Sequence, residues 1–242
     1  MTKARDNADN ILINFVQGLT LSNNSSDPNN KIDIAPGRAR GNGVTVDNPT
    51  TRTAALGAVT PNTTYHIHAL RNNTTGEFSV TADVSPTSPY VAPGWTRVQR
   101  LGAILTDGSG NIRPFVQSGN KFFFNATAPI YDYSGTGNRA KAPLTCTLPN
   151  GIRVEGLFSV LVVASDGNTD VNMAIYDGEN PNIRVTVQNH VSTGENSMTV
   201  PVSMFTNSSR QIQLEVAGSA SGSNASLIRT MGWVDYQIPR IG

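Results

Sequence analysis

The sequence predicts an all-β fold: an antiparallel strand assembly with an extended N-terminal arm, followed by a C-terminal β-sandwich of jelly-roll type. Three observations lead there. Apolar and polar residues alternate with a period of two rather than 3.6 along most of the chain. The interruptions are Gly, Pro, Asn, Asp and Ser, the residues that turns require. Finally, no stretch carries the long amphipathic pattern of a helix, which leaves sandwich or barrel architecture.

Taken in order, residues 1 to 40 read as a polar arm or docking segment. Ser22 to Arg40 is rich in Ser, Asn, Asp and Pro, with only a short Ile32/Ile34 strand inside it, so it should pack little core of its own. An N-terminal β domain, 41 to 131, carries strands at Thr64 to Leu70, Phe78 to Val84, Thr96 to Leu105, Arg113 to Gln117 and Lys121 to Asn125. Asp107-Gly108-Ser109-Gly110-Asn111 sits between two apolar segments as a hairpin turn, its glycines free to take positive φ. Tyr131 to Pro143, with Gly135, Gly137 and Pro143 around polar residues, reads as the boundary to a C-terminal sandwich domain, 132 to 242. Strands there are expected at Ile152 to Ala164, Asp170 to Tyr176, Ile183 to Val187, Asn196 to Val200, Gln211 to Ala217 and Ser226 to Gln237. Ser165-Asp166-Gly167-Asn168 reads as a second hairpin turn.

Composition narrows the function. Charged residues make up 14% of 242, and Lys+Arg 18 against Asp+Glu 17 gives a formal net charge of +1. A duplex binder needs Lys and Arg clustered on one face to displace counterions. Here they are scattered singly between Lys3 and Arg240, and no nucleic-acid partner is expected. No apolar run approaches the roughly 18 to 20 residues of a spanning helix, so no membrane insertion is expected. The single cysteine, Cys146, excludes an internal disulfide and a thiolate metal cluster within one chain. The polar Met1 to Asn10 and the short apolar stretch Ile11 to Val16 do not make a signal-peptide core, so export by the general secretory route is not expected. Asn-x-Ser/Thr sequons such as Asn125-Ala126-Thr127 then mark polar loops.

Several phrases of the sequence resemble a known group. They are Asn14 to Asn24 (Asn-Phe-Val-Gln-Gly-Leu-Thr-Leu-Ser-Asn-Asn), Asn30 to Arg40 (Asn-Lys-Ile-Asp-Ile-Ala-Pro-Gly-Arg-Ala-Arg), Asn62 to His68, the Pro-rich Ser85 to Pro93, Trp95 to Ile112, Phe122-Phe123-Phe124, and Thr230-Met231-Gly232-Trp233-Val234-Asp235. Together they resemble bacteriophage and prophage virion proteins of the tail-fibre or tail-associated type. The resemblance implies a virion structural part, at the tail, baseplate or capsid, acting in assembly and host attachment beside other virion proteins. It also favours a homotrimer. A capsid decoration or head-fibre protein, or a carbohydrate receptor-binding module, would carry the same composition. Multi-stranded β proteins must cover their sheet edges, and homomeric association does so.

No residue pattern calls for catalysis or a cofactor. His66 and His68 fall on one face of a strand, a start for a metal site that lacks a third ligand. His190 has no nucleophile in a recognisable arrangement, and no Gly-x-Ser-x-Gly elbow exists. Asp107-x-Ser109-x-Asn111 opens like a calcium loop, but Ile112 replaces the expected glycine and the bidentate glutamate is missing. Asp132, Asp166, Asp170 and Asp177 could serve a glycosidase only as a pair across a sugar groove, and Asp166 and Asp177 directly adjoin turn formers. The expected contacts are aromatic. Phe122, Phe123 and Phe124 cannot all face one side of a strand, leaving at least one for a subunit contact, and Trp95, Tyr131 and Tyr133 near loops suit stacking on a receptor sugar.

Overall fold

The structure, a computed structural model, describes residues 14–57, 59–125, 129–165, 169–191, 194–218 and 225–241. Among them every regular element is a strand. The chain forms two compact units, one of Met1–Asn125 with Asp235–Gly242, the other of Ala126–Val234.

The first unit is built from short strands. β1 (Phe15–Gly18), β4 (Gly37–Gly41) and β5 (Val44–Asn48) form one antiparallel sheet in the order β1-β4-β5. β2 (Leu21–Asn23), β3 (Lys31–Ile34), β6 (Arg52–Ala55), β10 (Phe115–Ser118) and β11 (Lys121–Phe124) lie side by side in the order β11-β10-β2-β3-β6. β7 (Thr64–Asn72), β8 (Phe78–Asp83) and β9 (Trp95–Leu105) form a third sheet with β7 in the middle. The C-terminal segment returns here: the Val16 amide donates to the Pro239 carbonyl at 2.8 Å, and the Ile241 amide donates to the Val16 carbonyl at 3.0 Å.

From residue 14 onward the expected arm is not an arm. It supplies β1 to β4, and Val16, Leu19, Leu21, Ile32 and Ile34 are all 0% exposed. Its polar composition has a local cause. Asn24 accepts from the amides of Ser26 and Asp27 and donates to Asp33, so the polar side chains close turns while isolated apolar ones enter the core. Two tight turns stand out, one inside a hairpin and one in the connection of β9 to β10, which lie in different sheets. Asn42 and Gly43, with φ of 50° and 76°, form the two-residue connection of β4 and β5, a turn that needs positive φ at both positions. At 107–111 the Asp107 carboxylate accepts from the amides of Ser109 and Asn111 and the Asp107 amide donates to the Asn111 carbonyl, which closes the turn expected there.

The second unit has longer strands: β12 (Tyr131–Thr136), β13 (Arg139–Thr145), β14 (Glu155–Ser165), β15 (Thr169–Tyr176), β16 (Arg184–Val191), β17 (Glu195–Phe205), β18 (Gln211–Gly218) and β19 (Ala225–Val234). Their pairing is nested: β12 with β19, β13 with β18, β14 with β17 and β15 with β16, plus β14 with β19 and β15 with β18. A long hairpin rolled over on itself produces that pattern, placing β17, β14, β19 and β12 in one layer and β13, β18, β15 and β16 in the other. This is the jelly-roll connection. The alternation read from sequence sets the faces. Phe158, Val160, Val162 and Ala164 of β14 point inward, as do Val171, Met173 and Ile175 of β15 and Ile212, Leu214 and Val216 of β18, all nearly or wholly buried.

One local expectation changes. Tyr131 to Pro143 is not a linker but β12 and most of β13, sheet-margin strands whose side chains are largely exposed or half-buried, so their polar composition imitates a loop. β14 and β15 belong to different layers and do not pair with each other; the hairpin turn expected at Ser165–Asn168 falls on Asp166, Gly167 and Asn168, which lie outside the described residues.

Candidate functional site

The first unit contains a buried polar cluster. Arg100 on β9 and Asp235 meet as a bidentate pair, Nη1 to Oδ2 at 2.6 Å and Nη2 to Oδ1 at 2.9 Å, with side chains only 4% and 0% exposed. Asp235 also accepts from the Gln237 amide. His68 on β7 lies opposite Arg100 in the β7–β9 ladder, and both His66 and His68 are fully buried. The His68 Nε2 lies 3.0 Å from the Ser85 carbonyl. Burial above all, with Arg97, His66 and Arg100 nearby, pushes the His68 pKa down to about 4. Asp83 on β8 is held below the usual carboxylate range by the amides of Tyr90 and Ser85. The cluster ties β7, β8 and β9 to the C-terminal Asp235. Sequence reasoning missed Arg100 and Asp235, which are 135 residues apart and carry no local pattern.

An open cleft of about 640 Å³ on the same unit is lined by Asp47, Asn48, Thr51, Arg52, Thr53 and Glu77, among others. Its carboxylates are engaged: Asp47 pairs with Arg38, and Glu77 with Arg52 at 3.2 Å. Hydroxyls and ion pairs on an open rim can hydrogen-bond a hydroxylated ligand, and they present no activated nucleophile or acid–base pair.

Of the expected contact residues, Phe122 is core. It is 0% exposed, packs its ring against Phe115 at 6.2 Å, and fills the space over Gly102, where a Cβ would approach it to 2.7 Å. It therefore cannot serve as a surface contact. Phe123 alternates outward at 39% exposure, and Phe124 is half-buried. Trp95 is half-buried at the start of β9, opposite Asn72. In the second unit Tyr131 is 56% exposed on β12, while Tyr133 is half-buried with the Arg139 guanidinium 5.4 Å from its ring centre.

The aspartates have structural partners. Asp132 accepts from the Thr147 amide and hydroxyl and from the Thr230 hydroxyl. Asp177, 1% exposed, accepts from the amides of Glu179 and Asn180 and pairs with Arg153. Asp170 pairs with His190 at 2.6 Å on the surface. Cys146 is buried, which raises its thiol pKa well above the ordinary value, the opposite of an activated nucleophile. No group of three or more His, Cys, Asp or Glu side chains that could hold a metal occurs among the described residues. No described helix is long and apolar enough to cross a membrane.

No family model matches the chain, and no curated protein matches it in sequence. Among solved structures it is similar to the infectious bursal disease virus Gx strain structure, at 16% identity and a TM-score of 0.28 over 88% of this chain and 67% of that one. The VP2 protein of the same virus, as a D431N mutant in T=1 particles, gives 15% identity and a TM-score of 0.25, over 88% of this chain and 66% of that one. The insecticidal delta-endotoxin Cry8Ea1 of Bacillus thuringiensis gives 10% identity and a TM-score of 0.26, over 91% of this chain and 53% of the toxin. The jelly-roll assignment rests on the strand pairing and not on these likenesses.

Proposed function

We propose that this chain is a non-enzymatic structural component of a bacteriophage virion, of the tail-fibre or tail-associated type, acting in assembly and host attachment through copies of itself and other virion proteins. The observation that carries the reading is the nested eight-strand roll of residues 126–234, whose interior is filled by Phe158, Val160, Met173, Ile175 and Leu214 and leaves its chemistry to the surface. Such a shell suits a mechanical part, and the sequence phrases described above resemble those of virion proteins. The engaged state of Asp132, Asp170 and Asp177 supports a role without turnover.

Gold-labelled antibody against the chain, applied to intact particles, tests the proposal. Label at the tail or baseplate is the expected result, label on the head moves the chain to capsid decoration, and absence from purified particles ends the virion reading. Steady conversion of host polysaccharide by the purified chain would end the non-enzymatic reading. The exposed Tyr131 favours a second reading, a carbohydrate receptor-binding module. That reading expects glycan-array binding that disappears on Tyr131→Ala, Tyr133→Ala or Trp95→Ala.

A further inference from the structure

A two-layer sandwich has four outer strands, and each leaves a row of backbone N–H and C=O groups that another chain can pair with. Three of the four in the second unit are blunted. β17 carries Pro201, which has no N–H to offer. β13 carries Pro143 and Lys141 and shifts register between Arg139 and Ala142. β12 shifts register between Tyr131 and Tyr133. β16 has no proline and no register shift, and its arginine, Arg184, stands at its first position. It pairs with β15 in unbroken register from Arg184 to Val191, lies last in its layer, and runs Val185-Thr186-Val187-Gln188 through its centre without a charge. Val185 and the preceding Ile183 are 38% and 52% exposed.

Beside this edge lies a groove of about 440 Å³ between β16 and β17, lined by Val185, Val187, Met198, Val200, Pro201 and Val202 together with uncharged polar residues. Further along β16 the buried Asn189 donates its amide to the carbonyls of Val162 and Asn196.

We infer that β16 is the pairing edge for β16 of a second copy, antiparallel about a two-fold axis near Val187. The observations select this occupant because the strand is self-complementary. An axis at Val187 sets Arg184 of one copy opposite His190 of the other, and His190 already holds Asp170 at 2.6 Å, so each guanidinium meets a carboxylate-bearing corner. Thr186 then faces Gln188 and Val185 faces Asn189, with no like charges opposed. The two layers of β13, β18, β15 and β16 become one continuous sheet, and the apolar grooves lie against the joint. The contact is isologous and closes at two copies.

Sedimentation velocity on the full chain at micromolar concentration tests it. A dimer is expected, with Val185→Lys shifting the equilibrium to monomer by at least tenfold in the dissociation constant. Thr186→Cys chains mixed with Gln188→Cys chains place the two thiols opposite each other on the exposed face and should form an oxidised dimer that reductant reverses, whereas Ser203→Cys chains, altered on β17, should not. A wild-type monomer overturns the inference and leaves the groove to an extended segment of another protein. A trimer, or a dimer that survives Val185→Lys and shows no disulfide link in the mixture of Thr186→Cys and Gln188→Cys chains, overturns it as well.

Discussion

Val160 in one unit and Arg100 in the other are equally removed from water, the first among aliphatic side chains and the second against a carboxylate, and that contrast runs through the whole chain. Residues 126–234 use strands of up to 11 residues whose inner faces form an apolar layer. Residues 14–125 use strands mostly of four or five residues beside the longer β7 and β9, and the short ones bury at most two side chains each. To its buried area this unit adds specific polar ties: Arg100 to Asp235, Gln117 to the Leu21 amide at 2.7 Å, and Asn48 to the carbonyls of Ile34 and Ala35. Stability built on area degrades gradually when a methyl group is removed. Stability built on a buried charge pair fails steeply when one partner is lost.

The largest expected effect breaks that comparison at its sharpest point. Asp235→Ala leaves Arg100 buried beside no carboxylate and should cost about 3–5 kcal/mol, read as a fall in the denaturation midpoint of the first unit. The double variant Arg100→Met with Asp235→Leu removes both charges and should recover most of that loss. If the single variant costs under about 1 kcal/mol, the pair is not what holds the returning C-terminal segment.

The pH profile separates the units next. His68 has a folded pKa of about 4 against an ordinary value of 6.5. Below the ordinary value the unfolded chain takes up a proton that the folded chain refuses, so stability rises with pH between about 4 and 6.5. The full contribution is present above about 6.5 and is gone at or below about 4, a difference of about 3 kcal/mol at roughly 1.4 kcal/mol per pH unit. The groups around it are His66 on the same strand, Arg97 and Arg100 on β9 and Asp83 on β8. His68→Gln should flatten this part of the profile in the first unit, and an unchanged slope would show that another group governs it. Val160→Ala tests the other material: two buried methyl groups and the space they leave should cost about 2–3 kcal/mol with no dependence on pH from 4 to 8.

The same contrast explains what the sequence made legible. Long alternating strands such as β7, β9, β14 and β18 stand where period two predicts them, because each pattern lasts long enough to outweigh chance. The short strands β1, β2, β4, β5 and β6 read as arm or loop because Leu21, Ala39 or Val46 each stand almost alone among polar neighbours. One of them carries a signal that the arm reading passes over: Asn42-Gly43 between Gly41 and Val44 is the strongest short hairpin dipeptide. The aromatic run on β11 is half legible. Alternation puts Phe123 outside, but that Phe122 closes over Gly102 depends on a neighbour 20 positions away, which no local pattern carries. The Arg100–Asp235 pair leaves no signal at all, since nothing beside either residue indicates a partner.

The smallest effect tests whether turn chemistry alone sets a connection in the polar unit. Gly110 sits at φ 85°, and a Cβ there would meet the Val59 carbonyl oxygen at 3.2 Å. Alanine would therefore face an unfavourable backbone conformation and a close contact together, at a cost of about 1–2 kcal/mol. Gly119, at φ 60° between β10 and β11, has open space around the same position. Gly119→Ala should thus cost about 1 kcal/mol, from conformation alone. Measured side by side by urea denaturation, Gly110→Ala should be the more damaging. Equal losses would mean that the Val59 contact yields and that φ is the whole requirement; a larger loss at Gly119 would mean that the β10–β11 hairpin depends more on its turn than the connection of β9 to β10 does.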